Sequence, residues 1–145
     1  MHDRVIVLVE DNANDEELTL RAFRKSNIAN RVVVVRDGVE ALDYFFARGK
    51  YANRKQTDVV QLVLLDLKLP KIDGLGVLRA LRADDSTRLI PVVVLTSSDE
   101  DQDMVRSYGL GANSYVRKPV DFTQFVDAVR QLGSYWLRIN QAAPA

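Results

Sequence analysis

Five short apolar runs, each closed by polar residues and each followed by a stretch of helical period, constrain this chain more than any other feature. Residues 5–9 are unbroken apolar and stop at Glu10 and Asp11. Residues 32–35 are all valine and are broken by Asp37-Gly38. Residues 59–65, interrupted only by Gln61, stop at Asp66. Residues 90–95, with Pro91 near the start, lead into Thr96-Ser97-Ser98. A shorter run around residues 114–116 precedes Lys118-Pro119. Runs that are continuously apolar rather than alternating belong to strands covered on both faces.

Helical patterns fill the intervals. Leu18, Leu20, Ala22 and Phe23 follow a capping asparagine, Asn12 or Asn14, with Asp15, Glu16 and Glu17 in the first turn. Val39, Leu42, Phe45 and Phe46 mark a second helix, and Leu75, Leu78 and Leu81 a third. A polar fourth helix carries Met104, Val105 and Tyr108. Asp121 caps a fifth that turns Phe122, Phe125, Val126, Val129 and Leu132 inward. Residues 48–58 are polar and basic and read as a long loop. Strand and helix alternating five times predict a doubly wound parallel α/β sheet.

Composition excludes several classes of function. Twenty Lys and Arg balance twenty Asp and Glu, so no overall field draws nucleic acid or an anionic membrane. There is no cysteine, hence no disulfide, thiolate site or Cys nucleophile. The first residues form neither a signal peptide nor a spanning segment, and the expected location is cytoplasmic.

In an open parallel sheet, ligands sit beyond the carboxyl ends of the strands. The strand-end residues here are Glu10, Asp11, Asp66, Thr96 and Lys118. One polar residue after a strand is ordinarily a loop or cap residue; five of complementary chemistry at one rim are a site. Three close carboxylates repel and push one another to hold protons. A divalent cation reverses that. The all-oxygen donor set, without His or Cys, favours Mg2+, or Mn2+ in its place. An ionised Asp can attack phosphorus, while a lysine and a hydroxyl hold phosphate oxygens.

The segments Val9-Glu10-Asp11-Asn12, Leu64-Leu65-Asp66-Leu67-Lys68-Leu69-Pro70 with Asp73-Gly74, Val94-Leu95-Thr96-Ser97 and Tyr115-Val116-Arg117-Lys118-Pro119 together resemble two-component receiver domains over nearly the whole chain. The resemblance implies a flavodoxin-like fold, a five-stranded parallel sheet of order 2-1-3-4-5 with five helices. It implies Asp66 as phosphoacceptor. Asp11, Asp66 and the backbone carbonyl of Lys68 would be metal ligands, with Glu10 acting mainly through water. Thr96, Ser97, Lys118 and Tyr115 would be the phosphate-binding and switch residues, and the Lys118–Pro119 peptide would be cis. The Lys68 side chain reads equally as a shield over the phosphoryl group or as a plain surface lysine.

The first-helix sequence, the polar insertion and the ending resemble, more narrowly, the regulators paired with phytochrome histidine kinases. Residues 1–133 form the expected receiver domain, 134–140 an extension of the last helix, and 141–145 a tail with no room for an output domain. Leu132, Tyr135, Trp136 and Ile139 lie at helical spacing. The resemblance implies a homodimer through the last two helices, the fifth strand and Tyr135, Trp136 and Ile139 of the extension. The expected function is a non-enzymatic switch that takes its phosphoryl group from a sensor histidine kinase. An Asp-nucleophile phosphatase of the haloacid dehalogenase type needs a second acid where Lys68 stands. A phosphorylation-independent binding module would commonly lack part of the intact site.

Overall fold

A computed structural model describes residues 3–54 and 58–144. Residues 55–57, in the expected polar loop, lie outside it, as do Met1, His2 and Ala145 at the ends. The strands are β1 (Asp3–Val9), β2 (Arg31–Val35), β3 (Asp58–Leu65), β4 (Val92–Thr96) and β5 (Ser114–Arg117). The helices are α1 (Ala13–Lys25), α2 (Gly38–Phe45), α3 (Gly74–Ala83), α4 (Asp101–Gly109) and α5 (Phe122–Ser134). The five strands form one parallel sheet in the order β2-β1-β3-β4-β5. This is the flavodoxin-like order.

Alternate residues of the central strands face opposite helical layers. Val5, Val7, Val9, Val63, Leu65 and Val92 pack with Ala41, Phe45, Val77, Leu78 and Leu81 from α2 and α3. Ile6, Leu8, Leu62, Leu64, Val93 and Leu95 pack with Ala22, Phe23, Phe125, Val126 and Val129 from α1 and α5. Both faces being dry, these strands carry no polar alternation. Gln61 is the exception, and it sits at a bulge: Val5 pairs with Val60, but Ile6 pairs with Leu62. The extra residue turns the Gln61 amide outward from the ladder, where it accepts from Asn30 and donates to the Leu137 carbonyl. The interruption in the apolar run thus anchors the C-terminal segment.

Two sequence expectations change. Phe122 is 45% exposed, not inward; as the first residue of α5 it lies beneath the Arg21 guanidinium, 5.6 Å from the ring centroid. Near the end of α5, Gly133 is buried where a side chain would collide with Ile28. The extension Tyr135–Ile139 is a π-helical turn, closed by Asn140 N–H on the Tyr135 carbonyl. Its wider turn splits the expected stripe. Leu132, Trp136 and Leu137 pack on their own core, and Tyr135 and Ile139 face out.

The loop between β3 and α3 is clamped by two glycines. A side chain on Gly38 would meet the Ile72 carbonyl, and one on Gly74 would meet the Asp66 carbonyl and the Leu67 Cα. Gly74 N–H donates to the Leu67 carbonyl at 2.8 Å, and Asp73 caps α3 by accepting from Gly76 N–H. A methyl at residue 74 has only backbone to push against. Gly74→Ala is expected to destabilise the protein by about 1–3 kcal/mol, the usual cost of overpacking, measured by urea unfolding.

Candidate functional site

The functional side chains are aimed by the sheet itself, because its ladder runs one residue past the strands. Glu10 N–H donates to the Val35 carbonyl on β2, Asp66 N–H to Val9 on β1, and Lys118 N–H to Thr96 on β4. Each carries its side chain onto the carboxyl rim, where β1 and β3 lie side by side and their connections leave in opposite directions.

Lys118 stands at the centre. Its ammonium donates to Glu10 Oε1 at 2.6 Å, to Asp66 Oδ2 at 2.8 Å and to Asp15 Oδ2 at 2.8 Å. All three N–H groups are therefore used. The Thr96 hydroxyl donates to Asp66 Oδ1 at 2.8 Å, and Lys68 N–H reaches the same oxygen at 3.3 Å. The second Glu10 oxygen accepts from Asn12 N–H at 3.2 Å. Asp11 is exposed, and among the described residues its carboxylate has no hydrogen-bond donor. Ligand oxygens of Glu10, Asp11 and Asp66 all lie within 4.8 Å of one another.

The electrostatics follow from that crowding. Burial pushes the Glu10 carboxyl up to about 7; the Lys118 ammonium opposes the rise and the Asp66 charge adds to it. Asp66 is also penalised by burial, but hydrogen bonds from Lys118 and Thr96 hold it below its usual value. Burial alone would depress Lys118; its acid partners raise it instead. Of the two acids, Glu10 is therefore the more readily protonated, and Asp66 the one held ionised. Hard oxygen donors, one of them exposed and unengaged, fit a divalent cation of the Mg2+ or Mn2+ kind.

The structure gathers Glu10, Asp11, Asp66, Thr96 and Lys118 as the sequence predicts. It leaves Tyr115 apart: the ring is half-buried on β5 and its hydroxyl donates to the Ser98 carbonyl at 3.1 Å. Ser97 is exposed, and among the described residues its hydroxyl makes no hydrogen bond to the cluster. Its neighbour Ser98 is buried and donates to Asp103 Oδ2 at 2.6 Å, pinning the start of α4. The inward turn after Thr96 selects the second serine, which sequence alone did not single out. The Lys68 side chain is exposed. The Lys118–Pro119 peptide is trans, contrary to expectation; that is the isomer an X–Pro step intrinsically prefers. Asp15, read from sequence only as a first-turn helix acid, is a direct partner of Lys118. As the third residue of α1, just after the Asn12 cap, it has nothing in the local pattern that singles it out.

These features define the class. The chain matches the response regulator receiver domain over residues 6–130 and belongs to that family. It is 36% identical to response regulator Rcp1 of Synechocystis sp. over 92% of this chain and 89% of that protein. The Mn2+-bound form of Rcp1 superposes with a TM-score of 0.90 at 34% identity, covering 97% of this chain and 99% of that one. The phosphorylated cyanobacterial phytochrome response regulator RcpA gives 0.91 at 38% identity, covering 99% and 100%. The bacteriophytochrome response regulator AtBRR is 55% identical, covering 97% and 100%, with a TM-score of 0.76. The chain is thus a receiver related to the phytochrome response regulators.

Because Glu10 holds its proton below about pH 7, the cation cluster gains a negative charge as pH rises through that value. Mn2+ affinity measured by calorimetry should climb between about pH 6 and about pH 8 and flatten above, since ligand deprotonation is linked to metal binding. Glu10→Gln should abolish the climb.

Proposed function

We propose that the protein is a phosphorylation switch in which Asp66 accepts a phosphoryl group from a sensor histidine kinase, in a reaction that requires Mg2+. The observation that carries this reading is the state of Asp66: buried, ionised, and held by Lys118 and Thr96 on its two oxygens. A carboxylate so oriented is a preset nucleophile. Attack forms a new bond from carboxylate oxygen to phosphorus as the phosphorus–nitrogen bond of a phosphohistidine breaks, and the imidazole keeps that electron pair. Glu10, Asp11 and Asp66 would hold the cation, which supplies charge neutralisation for the transferring group.

The protein's own residues do the rest. Lys118 neutralises a phosphoryl oxygen, and the Thr96 hydroxyl passes from Asp66 to the phosphoryl group. The link from Thr96 outward is short. Ser98 N–H reaches Thr96 Oγ1 at 3.4 Å, and Tyr115 holds the Ser98 carbonyl. A shift of Thr96 therefore bears on the Tyr115 ring and on α4, whose sole fully buried residue is Ser107. Val105 and Tyr108 on α4, and Tyr135 and Ile139 on the C-terminal turn, are exposed, and a homodimer that covers them suits their apolar character.

The relation to phytochrome regulators favours a phytochrome kinase as donor, in the cytoplasm. A switch is favoured over a turnover enzyme because Lys68 occupies the position where an Asp-nucleophile phosphatase carries its acid. Among the described residues, no helix is long and apolar enough to cross a membrane.

Incubation with acetyl phosphate and Mg2+ should add a single phosphoryl group by intact mass. Asp66→Ala should take up none, and equal labelling of that variant would sink the assignment. Lys118→Ala should slow uptake by about 10²-fold, the scale of one lost stabilising donor. For the self-association surface, Ile139→Lys should lower the molar mass seen by light scattering. A wild-type chain that is monomeric at all concentrations would refute the dimer.

A further inference from the structure

Lys118 is held by three acids, but the proposed chemistry uses only two of them. Glu10 and Asp66 belong to the cation cluster; Asp15 does not. Its oxygen nevertheless lies 2.8 Å from the ammonium, the same distance as that of Asp66. Nor is Asp15 there by loose chance. Its N–H donates to the Asn12 side chain at 3.0 Å, and its carbonyl accepts from the Thr19 hydroxyl at 2.8 Å. Asn12 is the cap of α1, so the cap fixes where the Asp15 side chain starts. Serving the helix dipole would not require the carboxylate to reach across to β5. Placing a fourth acid near an incoming phosphoryl group also carries an electrostatic penalty, which needs a compensating role.

We infer that Asp15 is a positioning residue for phosphoryl transfer, acting through Lys118. An ammonium has three N–H vectors fixed relative to one another. Tying two of them to Glu10 and Asp15 aims the third at Asp66. When the carboxylate becomes an acyl phosphate, a phosphoryl oxygen takes over that third N–H and the other two bonds need not break. Asp15 thereby spares the reorganisation of Lys118 at the moment of transfer. Because Asp15 lies on α1 and Lys118 follows β5, the same bond ties the first helix to the end of the last strand.

This inference rests on the phosphoacceptor reading of Asp66. With acetyl phosphate as donor, the Asp66 oxygen bonds to phosphorus, the phosphorus–oxygen bond to acetate breaks, and acetate leaves with that electron pair. No proton is gained or lost at Asp66. The test compares the initial rate of phosphorylation for the full chain, Asp15→Ala and Asp15→Asn, with Mg2+, by intact mass. Asp15→Ala is expected to be about tenfold slower, as loss of a charge-assisted hydrogen bond implies. Asp15→Asn keeps an acceptor oxygen of the same reach and should recover most of that rate. Equal rates for all three proteins overturn the inference. So does a faster Asp15→Ala, which would show repulsion to dominate, and so does an Asp15→Asn as slow as Asp15→Ala. Should Asp15→Ala fail to fold by circular dichroism, Asp15→Ser, whose hydroxyl is too short to reach Lys118, takes its place. A wild-type chain that takes no label overturns the phosphoacceptor reading itself, whereas labelled wild type with unaffected Asp15 variants overturns only the role of Asp15.

Discussion

The Lys118 side chain is 6% exposed, and three carboxylates surround its ammonium within hydrogen-bond distance. Neither the cation nor the acids could be buried there alone, since an isolated charge out of water costs far more than any local contact returns. Their mutual satisfaction ties the end of β5 to the ends of β1 and β3 and to the first turn of α1. It also leaves a surplus of negative charge, because one ammonium cannot neutralise Glu10, Asp15, Asp66 and the adjacent Asp11. Burial raises the Glu10 carboxyl and the Asp66 charge adds to that rise, and a divalent cation would relieve the repulsion between the acids. Site and fold therefore share one electrostatic problem.

The layers around this cluster are arranged so that the solution does not drift. Two dry faces hold β1, β3 and β4, and the backbone ladder extends past each strand to Glu10, Asp66 and Lys118. Gly38 and Gly74 let α2 and α3 press on the loop that follows Asp66. By contrast, α4 is lightly held, with Met104, Val105 and Tyr108 exposed and Ser107 its one buried residue. Rigid elements thus present the acids, and the loosely packed element lies beside Thr96, Ser98 and Tyr115, where a response could be transmitted.

Much of the fold and most of the site were legible in the residues. The central strands were plain because two buried faces leave no polar alternation, and the acids at their ends were plain because each follows an apolar run directly. Asp15 was hidden by a competing local explanation: an acid in the first turn of a helix already has a reason to be there. Which of the two adjacent serines turns inward was not legible, because the loop after Thr96 decides it: Ser98 is buried and Ser97 exposed. The C-terminal stripe failed because a regular helical period was assumed where a π-turn widens the spacing. Phe122 failed because a position just past a cap lies at the edge of the helix face, where Arg21 could stack on it.

By itself the sequence determined the alternation of strands and helices, the rim on which chemistry would occur, and the identities of Glu10, Asp11, Asp66, Thr96 and Lys118 as its members. These follow from hydrophobic period and from the order of residues along single segments, which are local properties. Only the tertiary structure decided that Lys118 meets Asp15 across 103 positions, that the Gln61 bulge anchors Leu137 across 76, and that Trp136 packs inward while Ile139 does not. Those outcomes depend on distances between segments that no local pattern encodes, because they are set by how two helical layers close over one sheet.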